Sequence, residues 1–516
     1  MNVLRAVDST RGSTSPALAS RKLKEALRNR DIIDGGLPEE TIESEVEDPK
    51  AAEQAPIVYE RDLVRTLSVA TPRVRGLLDL LFMVILGINE GMLIGYIGSL
   101  TAIFTERKVP AYLRSCLNFT MSPLILRVLI SPIVDRHYFE KFGKRKTYII
   151  PFKLLAGIFY MCLSFFIEDM VENEEVIKIS MSFFFLCILL CFENNAIVGL
   201  RREYFGRENP GYIGASHNMA VLLGITIGMQ MFTALNSRRI CRTYLGLSGK
   251  LLSHRVYMLT AAGINIMSNA IFLYIREDDS PDDTWPVRAN VVVIFKSIFV
   301  QPLVRKLLLL QMFIPMTVMC MKAVSMQYYI SKGVSREHVI LLSLILIPIM
   351  IIANISWIPF TRTGGLMKKT WLICSISVLV ELLHIPNLMF FNKENYPRTM
   401  VGLGLIYCLE ICCPWTMFQS AVINMTASRK YASSYICAFS SLLSSSRYIV
   451  LYLVNPFIDT LTILFTFGLL STLQIAANVY LFSSADELDE HNKEEFKMQF
   501  ERAVDGNRGA NRRSTV

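Results

Sequence analysis

Residues 123–146, PLILRVLISPIVDRHYFEKFGKRK, join an apolar helix to a basic loop. Arg127 stands in the middle of the apolar part, and the loop after Asp135 ends in the basic pattern GKRK. A second apolar run, TYIIPFKLLAGIFYMCLSFFI, begins at once. Because cytoplasmic loops of membrane proteins are enriched in lysine and arginine, this stretch predicts two membrane-spanning helices connected on the cytoplasmic side.

The rest of the chain repeats this pattern. Of its 516 residues, 52% are hydrophobic and only 19% are charged, below the ~25% charge of an average soluble domain. From about residue 77 to 482 the apolar residues fall in blocks of roughly 20, the length that crosses ~30 Å of hydrocarbon as a helix. The sequence therefore predicts an all-α membrane protein with six spans, a connector and six more spans, and with both termini cytoplasmic.

The predicted spans lie near residues 77–99, 113–134, 147–167, 177–199, 212–234, 257–275, 305–330, 338–360, 370–392, 399–424, 433–455 and 460–482. The corresponding organisation is a cytoplasmic, largely disordered tail at 1–76, an N-terminal six-helix half at 77–275, a cytoplasmic connector at 276–304, a C-terminal six-helix half at 305–482 and a cytoplasmic tail at 483–516.

One loop opposes this topology. Residues 235–256 contain Arg238, Arg239, Arg242, Lys250 and Arg255, yet the span count puts them on the side opposite the basic loop at 135–146. Either this far side tolerates basic charge or the neighbouring spans are misplaced. We favour the first explanation, because the 135–146 loop and the connector support the same topology.

Several functional classes lack a signal in the sequence. The eleven cysteines lie mostly inside apolar runs, so neither a disulfide framework nor a metal site is expected. No nucleophile elbow or phosphate-binding glycine loop is present, so we expect no catalytic residues and no cofactor. The net charge of +9 is concentrated in loops and tails and reflects topology rather than nucleic-acid binding.

Charged residues inside predicted spans are the candidate functional groups, because each is costly in hydrocarbon unless it is paired or faces a wet cavity. Basic side chains suit an anionic substrate: Arg127, Lys322 and Arg447. Carboxylates could carry protons or balance these bases: Glu90, Glu193, Glu381 and Glu410. The alternative is that such charges form salt bridges that only hold helices together, for example Glu90 with Arg127.

Structural roles are expected for four polar residues, of which Glu381 is also one of the candidate carboxylates. Glu381 and His384 lie one turn apart and can satisfy each other or a neighbouring helix. Lys153 and His217 lie near the ends of their predicted spans, where we expect them to reach the surface or cap a helix.

Several stretches together resemble the acetyl-coenzyme A transporter family (solute carrier family 33) of the major facilitator superfamily. They are GINEGMLIGYIGSL, SPLILRVLISPIVDRHYFEKFGKRKTYIIP, RENPGYIGASHNMAVLLG, SKGVSREHVILLSLILIPIMII and LVNPFID. The resemblance covers most of residues 77–480, and Lys322 and Glu410 depart from the family pattern, so the chain resembles a divergent member. It implies the major facilitator fold and transport of acetyl-coenzyme A from the cytosol into the lumen of the endoplasmic reticulum.

The resemblance also suggests a role for the loop at 135–146 as a cytoplasmic latch formed by Asp135, Gly143, Lys144 and Arg145. In such a latch Asp135 meets the positive end of a neighbouring helix and Arg145 meets an acidic group. The alternative is a loop that only anchors the topology by its positive charge.

The leading hypothesis is thus a transporter that moves a small anion, acetyl-coenzyme A, by alternating access in a lipid bilayer. Two alternatives stay open: a major facilitator carrier for a different organic anion, and a transporter-like receptor or scaffold that transports nothing. A multi-span acyltransferase is disfavoured because His384 has no reactive partner in the sequence. The coupling ion, the organelle and a homodimeric state are not determined by the sequence.

Overall fold

The structure, a computed structural model, describes residues 77–139, 142–205, 210–273, 302–359, 365–389 and 460–513, with isolated residues at 300 and between 394 and 452. All regular structure in these ranges is helical. The predicted spans 399–424 and 433–455 lie largely outside the described residues, as does the connector up to residue 299.

The N-terminal helices are α1 Leu77–Leu86, α2 Ile88–Glu106, α3 Ala111–Phe119, α4 Arg127–Arg136, α5 Lys146–Leu163, α6 Ile167–Glu172, α7 Val176–Phe205, α8 Pro210–Ile225, α9 Phe232–Asn236, α10 Arg238–Leu245 and α11 His254–Leu273. A π-helical turn, Thr226–Met231, joins α8 to α9. The C-terminal helices are α12 Pro302–Phe313, α13 Met316–Ser331, α14 Arg336–Ser356, α15 Leu366–Met389 and α16 Thr460–Arg513.

Helix length and composition support membrane spans. Within the described residues, five helical stretches are long and apolar enough to cross a bilayer: Ala111–Asp135, Lys146–Leu163, Val176–Arg202, Gly211–Asn236 and Leu464–Glu490. The bent pair Leu80–Leu86 and Ile88–Glu106 makes a sixth if it is one span. Each of the six coincides with a span predicted from the sequence. The count of twelve and the cytoplasmic termini stay predictions.

The first predicted span is broken. α1 and α2 meet at Gly87 and are bent by 50° relative to each other. A break of this kind leaves carbonyl groups at the end of α1 without partners in the helix. The break places Glu90 in the first turn of α2, whereas the sequence placed it in the middle of a continuous helix.

Glycines bring α2 and α8 into backbone contact. A β-carbon added at Gly91 would lie 2.8 Å from the α-carbon of Gly224, and one added at Gly95 would lie 2.8 Å from the carbonyl oxygen of Ile225. Side chains larger than hydrogen therefore do not fit between these helices, as expected for small residues at membrane helix interfaces.

The N-terminal and C-terminal helices contact each other at three levels. Arg336 at the start of α14 forms an ion pair with Glu106 at the end of α2, at 3.2 Å. Asn218 donates to Asn354 at 3.0 Å. At the opposite end of the bundle, Ser434 donates a hydrogen bond to Asp135 at 2.7 Å.

Candidate functional site

A buried ion pair occupies the centre of the N-terminal helices. The Nη2 atom of Arg127, in the first turn of α4, lies 2.7 Å from Oε1 of Glu90 in α2. The two side chains are 2% and 8% exposed. The sequence suggested a salt bridge between Glu90 and Arg127 only as the alternative to a substrate-binding role. The structure places the two side chains in direct contact.

Two further cations bind carbonyl groups at the end of α1, next to its break with α2. Arg201 of α7 donates to the carbonyl oxygen of Met83 at 3.2 Å, and Lys153 of α5 donates to that of Leu86 at 3.0 Å. Positive charge is favoured at the C-terminal end of a helix, where the last carbonyls lack partners. The broken helix thus explains why two cations are tolerated at this depth.

Lys153 also connects the break to a polar network between four helices. Its Nζ lies 3.0 Å from Oε1 of Glu193 and donates to Oγ of Ser268 at 3.1 Å. The amide of Asn89 donates to Glu193 at 3.0 Å and to Asn265 at 2.7 Å. Helices α2, α5, α7 and α11 are therefore linked through buried polar side chains.

Arg201 joins this network to Glu90. Its Nη1 lies 3.0 Å from Nδ1 of His217 in α8, and the charges of Arg127 and Arg201 both act on the Glu90 carboxylate. We call the residues Glu90, Arg127, Lys153, Glu193, Arg201 and His217 the buried charge cluster. With neutral histidine it contains three cations and two anions.

The cluster is not fully satisfied by the protein. Within the part of the chain that the structure describes, Oε2 of Glu90, Nε of Arg127 and Nε of Arg201 are buried without a hydrogen-bond partner. An unsatisfied buried charged group costs more than the ~1–3 kcal/mol of a neutral one. Packing alone does not account for such a cluster, whereas water or a polar solute entering it would.

The other predicted site residues have different surroundings. Glu193 pairs with Lys153, as described above. Glu381 of α15 is fully buried and accepts a hydrogen bond from Gln474 of α16 at 3.1 Å, more than a hundred residues along the chain from the cluster. The helix α13 contains Lys322, but its side chain lies outside the described residues, as do Glu410, Arg447 and the side chain of His384.

Three members of the cluster were not among the predicted site residues. Lys153 and His217 do not reach the surface, since they are 0% and 8% exposed. Of the two predicted roles, Lys153 has that of a helix cap, because it donates to the carbonyl oxygen of Leu86 at the end of α1. Arg201 was not singled out at all. Lys153 lies only two helical turns from the basic loop, so its position in the sequence suggests a side chain at the membrane interface. The helix break at Gly87, which no proline marks in the sequence, brings a backbone carbonyl within reach of Lys153.

The predicted latch residues lie together at one end of the bundle. Arg145 donates to Oδ1 of Asp135 at 2.9 Å, and Ser434 donates to Oδ2 at 2.7 Å. The acidic group that Arg145 meets is thus Asp135 itself. Gly143 has a φ of 90°, a left-handed conformation that favours glycine, and it turns the chain between α4 and α5 next to Lys144.

Gly199 of α7 makes room for this latch. A β-carbon there would lie 2.6 Å from Nε of Arg145, too close for a van der Waals contact. The Asp135 carboxylate therefore links α4, the start of α5 and a residue of the C-terminal part in one place.

Comparison with known proteins supports the family assigned from the sequence. Residues 79–292 match the family model described as Acetyl-coenzyme A transporter 1. These residues include the whole buried charge cluster and the latch residues of α4 and α5. The resemblance to a divergent member of this family is confirmed over this range.

Two curated yeast proteins are also similar. An uncharacterized protein of Schizosaccharomyces pombe is 22% identical over 39% of this chain and 39% of its own length. An uncharacterized membrane protein of Saccharomyces cerevisiae is 24% identical over 24% of this chain and 25% of its own length. The matches thus span between a quarter and two fifths of these relatives.

Solved transporter structures share the fold. The D-xylose-proton symporter aligns with a TM-score of 0.53 at 10% identity, over 78% of this chain and 97% of that chain. The major facilitator superfamily transporter FucP in the outward conformation aligns with a TM-score of 0.51 at 9% identity, over 78% and 99%. A bacterial homologue of iron transporter ferroportin aligns with a TM-score of 0.51 at 11% identity, over 77% and 98%.

The chain has the major facilitator fold. The family model that matches residues 79–292 is that of a transporter, and the fold is one that solved membrane transporters share. The predicted fold class is confirmed.

Proposed function

We propose that this transporter moves a multiply charged organic anion, acetyl-coenzyme A, from the cytosol into the lumen of the endoplasmic reticulum by alternating access. The observation that carries the proposal is the buried charge cluster, in which Arg127, Arg201 and Lys153 exceed Glu90 and Glu193 in charge. A positive excess in a low-dielectric site attracts an anion and leaves guanidinium hydrogens to bind its phosphate oxygens. The family match to the acetyl-coenzyme A transporter supports this cargo.

In this mechanism Arg127 exchanges partners. Without cargo it pairs with Glu90; a phosphate group arriving beside it competes for the same guanidinium, and Nε is free to donate to the anion. Glu90 then loses its counter-charge and takes up a proton, which balances the charge of the centre. Lys322 and Arg447 from the C-terminal half are proposed to complete the anion site, and Glu193, Glu381 and Glu410 to contribute to charge coupling.

The Asp135 latch is proposed to hold one end of the two halves together. Breaking the hydrogen bond from Ser434 frees Asp135 from the C-terminal half, while Arg145 stays on the N-terminal half. The halves can then separate at this end and expose the buried charge cluster.

The decisive experiment is uptake of radiolabelled acetyl-coenzyme A by proteoliposomes that contain the purified full-length protein, with and without a pH gradient. Saturable uptake that excess free coenzyme A inhibits is the expected result. Folded protein that takes up a different organic anion but not acetyl-coenzyme A refutes the cargo. Folded protein that transports no anion refutes the transporter mechanism and favours the receptor alternative.

A further inference from the structure

A second charged site lies at the end of the bundle opposite the Asp135 latch. Here a cleft of about 300 Å³ opens between α2, the α9–α11 segment and the start of α14. Both groups of helices contribute to its walls, because Arg336 and Glu337 of α14 face Glu106, Arg107 and the α10 segment. We call this the basic cleft.

The lining has an excess of positive charge. Five basic side chains line the cleft, Arg107, Arg238, Arg239, Lys250 and Arg336, against two acidic ones, Glu106 and Glu337. His254 does not add to the positive charge, since burial and the charges of Lys250, Arg107 and Arg336 lower its pKa to about 3. The cleft therefore carries a formal excess of three positive charges at neutral pH.

Both acidic residues of the cleft already have partners within the protein. Glu106 forms an ion pair with Arg336 at 3.2 Å, and Glu337 accepts a hydrogen bond from Ser237 at 2.9 Å. Within the described part of the chain, neither Arg238 nor Arg239 forms an ion pair, and both are exposed. Their guanidinium groups are thus available to a ligand.

The backbone increases the positive potential. Arg238 and Arg239 are the first two residues of α10, whose N-terminal end carries a partial positive charge. Ser237 caps this end by accepting a hydrogen bond from the amide of Ile240 and donates one to Glu337. A helix N-terminus with adjacent arginines in a cleft is a favourable environment for phosphate oxygens.

The same residues account for the loop at 235–256 that opposes the predicted topology. Lipid anchoring would explain basic residues that point outwards, such as Arg242, which lies on α10 but does not line the cleft. It does not explain basic residues that line one cleft from α10, the 246–253 loop and α14.

We propose that the basic cleft is a binding site for a soluble phosphate-bearing anion on the face opposite the Asp135 latch, separate from the buried charge cluster. Arg238 and Arg239 bind the phosphate oxygens, and Lys250 adds charge from the facing loop. The site spans both groups of helices through Arg336, so an occupant contacts both of them at this end of the molecule. The proposal does not depend on which solute the buried charge cluster transports.

The test is calorimetric titration of inorganic pyrophosphate into the full-length protein in phosphatidylcholine nanodiscs at pH 7 and fixed ionic strength. The expected result is one saturable site that the double variant Arg238→Ala/Arg239→Ala weakens at least tenfold, because charge-assisted hydrogen bonds are lost. The matched control is Arg242→Ala, which removes a basic residue from the same helix outside the cleft and is expected to leave the affinity within twofold.

Three results would overturn the proposal. Equal weakening by Arg242→Ala would show a general charge effect. Unchanged affinity in the double variant would place the binding elsewhere, for example at the buried charge cluster. Loss of pyrophosphate binding when the protein is placed in nanodiscs that contain phosphatidylglycerol would assign the cleft to a lipid headgroup instead of a soluble anion. None of these outcomes depends on uptake, so they are distinguishable from failure of the transport assay.

Discussion

The ion pair between Arg127 and Glu90 provides the most direct test of whether the buried charges serve transport or only packing. Replacing Arg127 with methionine removes the counter-charge of a carboxylate that is 8% exposed. Breaking a buried pair by removing one partner costs about 3–5 kcal/mol. For the predicted N-terminal half at 77–275, a size at which 1 kcal/mol corresponds to about 2–4 °C, the expected fall in Tm is about 6–20 °C.

The second variant separates stability from function. Glu90→Gln combined with Arg127→Met removes both charges of the pair and leaves the net charge of the cluster unchanged, and replacing both partners of a buried pair with uncharged groups of similar volume is often neutral in stability. We therefore expect the double variant to recover most of the lost Tm. If Arg127 binds the anion, uptake stays near background in both variants.

The assays are thermal unfolding of the purified protein in detergent and uptake of radiolabelled acetyl-coenzyme A by proteoliposomes. A suitable control is Lys178→Ala, which breaks an ion pair with Glu175 whose side chains are 67% and 33% exposed. An exposed pair contributes about 0–1 kcal/mol, so this variant is expected to resemble the wild type in both assays.

Two results would refute the reasoning in different ways. An unchanged Tm in the Arg127→Met variant would contradict the burial of the pair. Recovery of uptake together with Tm in the double variant would show that the pair only holds α2 and α4 together, which is the alternative that the sequence left open.

Two further predictions concern the latch and the polar network. Gly199→Ala is expected to displace the Arg145 guanidinium and to reduce the uptake rate several-fold. Gly263→Ala is the control, because an added β-carbon there meets no atom within 4 Å, and it is expected to leave uptake unchanged. Equal uptake rates in the two variants would argue against a latch. Lys153→Met is expected to lower Tm by a margin similar to that of Arg127→Met, since it leaves Glu193 buried without its cation, and adding Glu193→Gln is expected to restore most of it. A Tm that falls further in that double variant would show that the pair is not the main source of the loss.

The sequence predicts the spans well because their signal is long and one-dimensional. A run of apolar residues with the length of the bilayer needs no tertiary contact to be recognised. The prediction of 113–134 and 177–199 corresponds to the observed Ala111–Asp135 and Val176–Arg202. The observed stretches are one to three residues longer at each end.

Only some residues of the buried charge cluster could be predicted from the sequence. Glu90, Arg127 and Glu193 stand out because a charge in an apolar run is anomalous wherever its partner lies. Lys153 and Arg201 could not be assigned in the same way, since part of their coordination comes from backbone carbonyls at the end of α1, next to the break at Gly87. Glycine in an apolar run indicates close packing as often as a break, and only the fold decides between the two.

The last helix continues well beyond its candidate membrane span. α16 contains 54 residues, about 80 Å at 1.5 Å per residue, while the candidate span Leu464–Glu490 ends at Glu490. The remaining residues extend about 35 Å past that point as one helix. A rotation of the C-terminal helices by about 10° would move its tip by about 6 Å, so a spin label near Arg513 would report such a rotation.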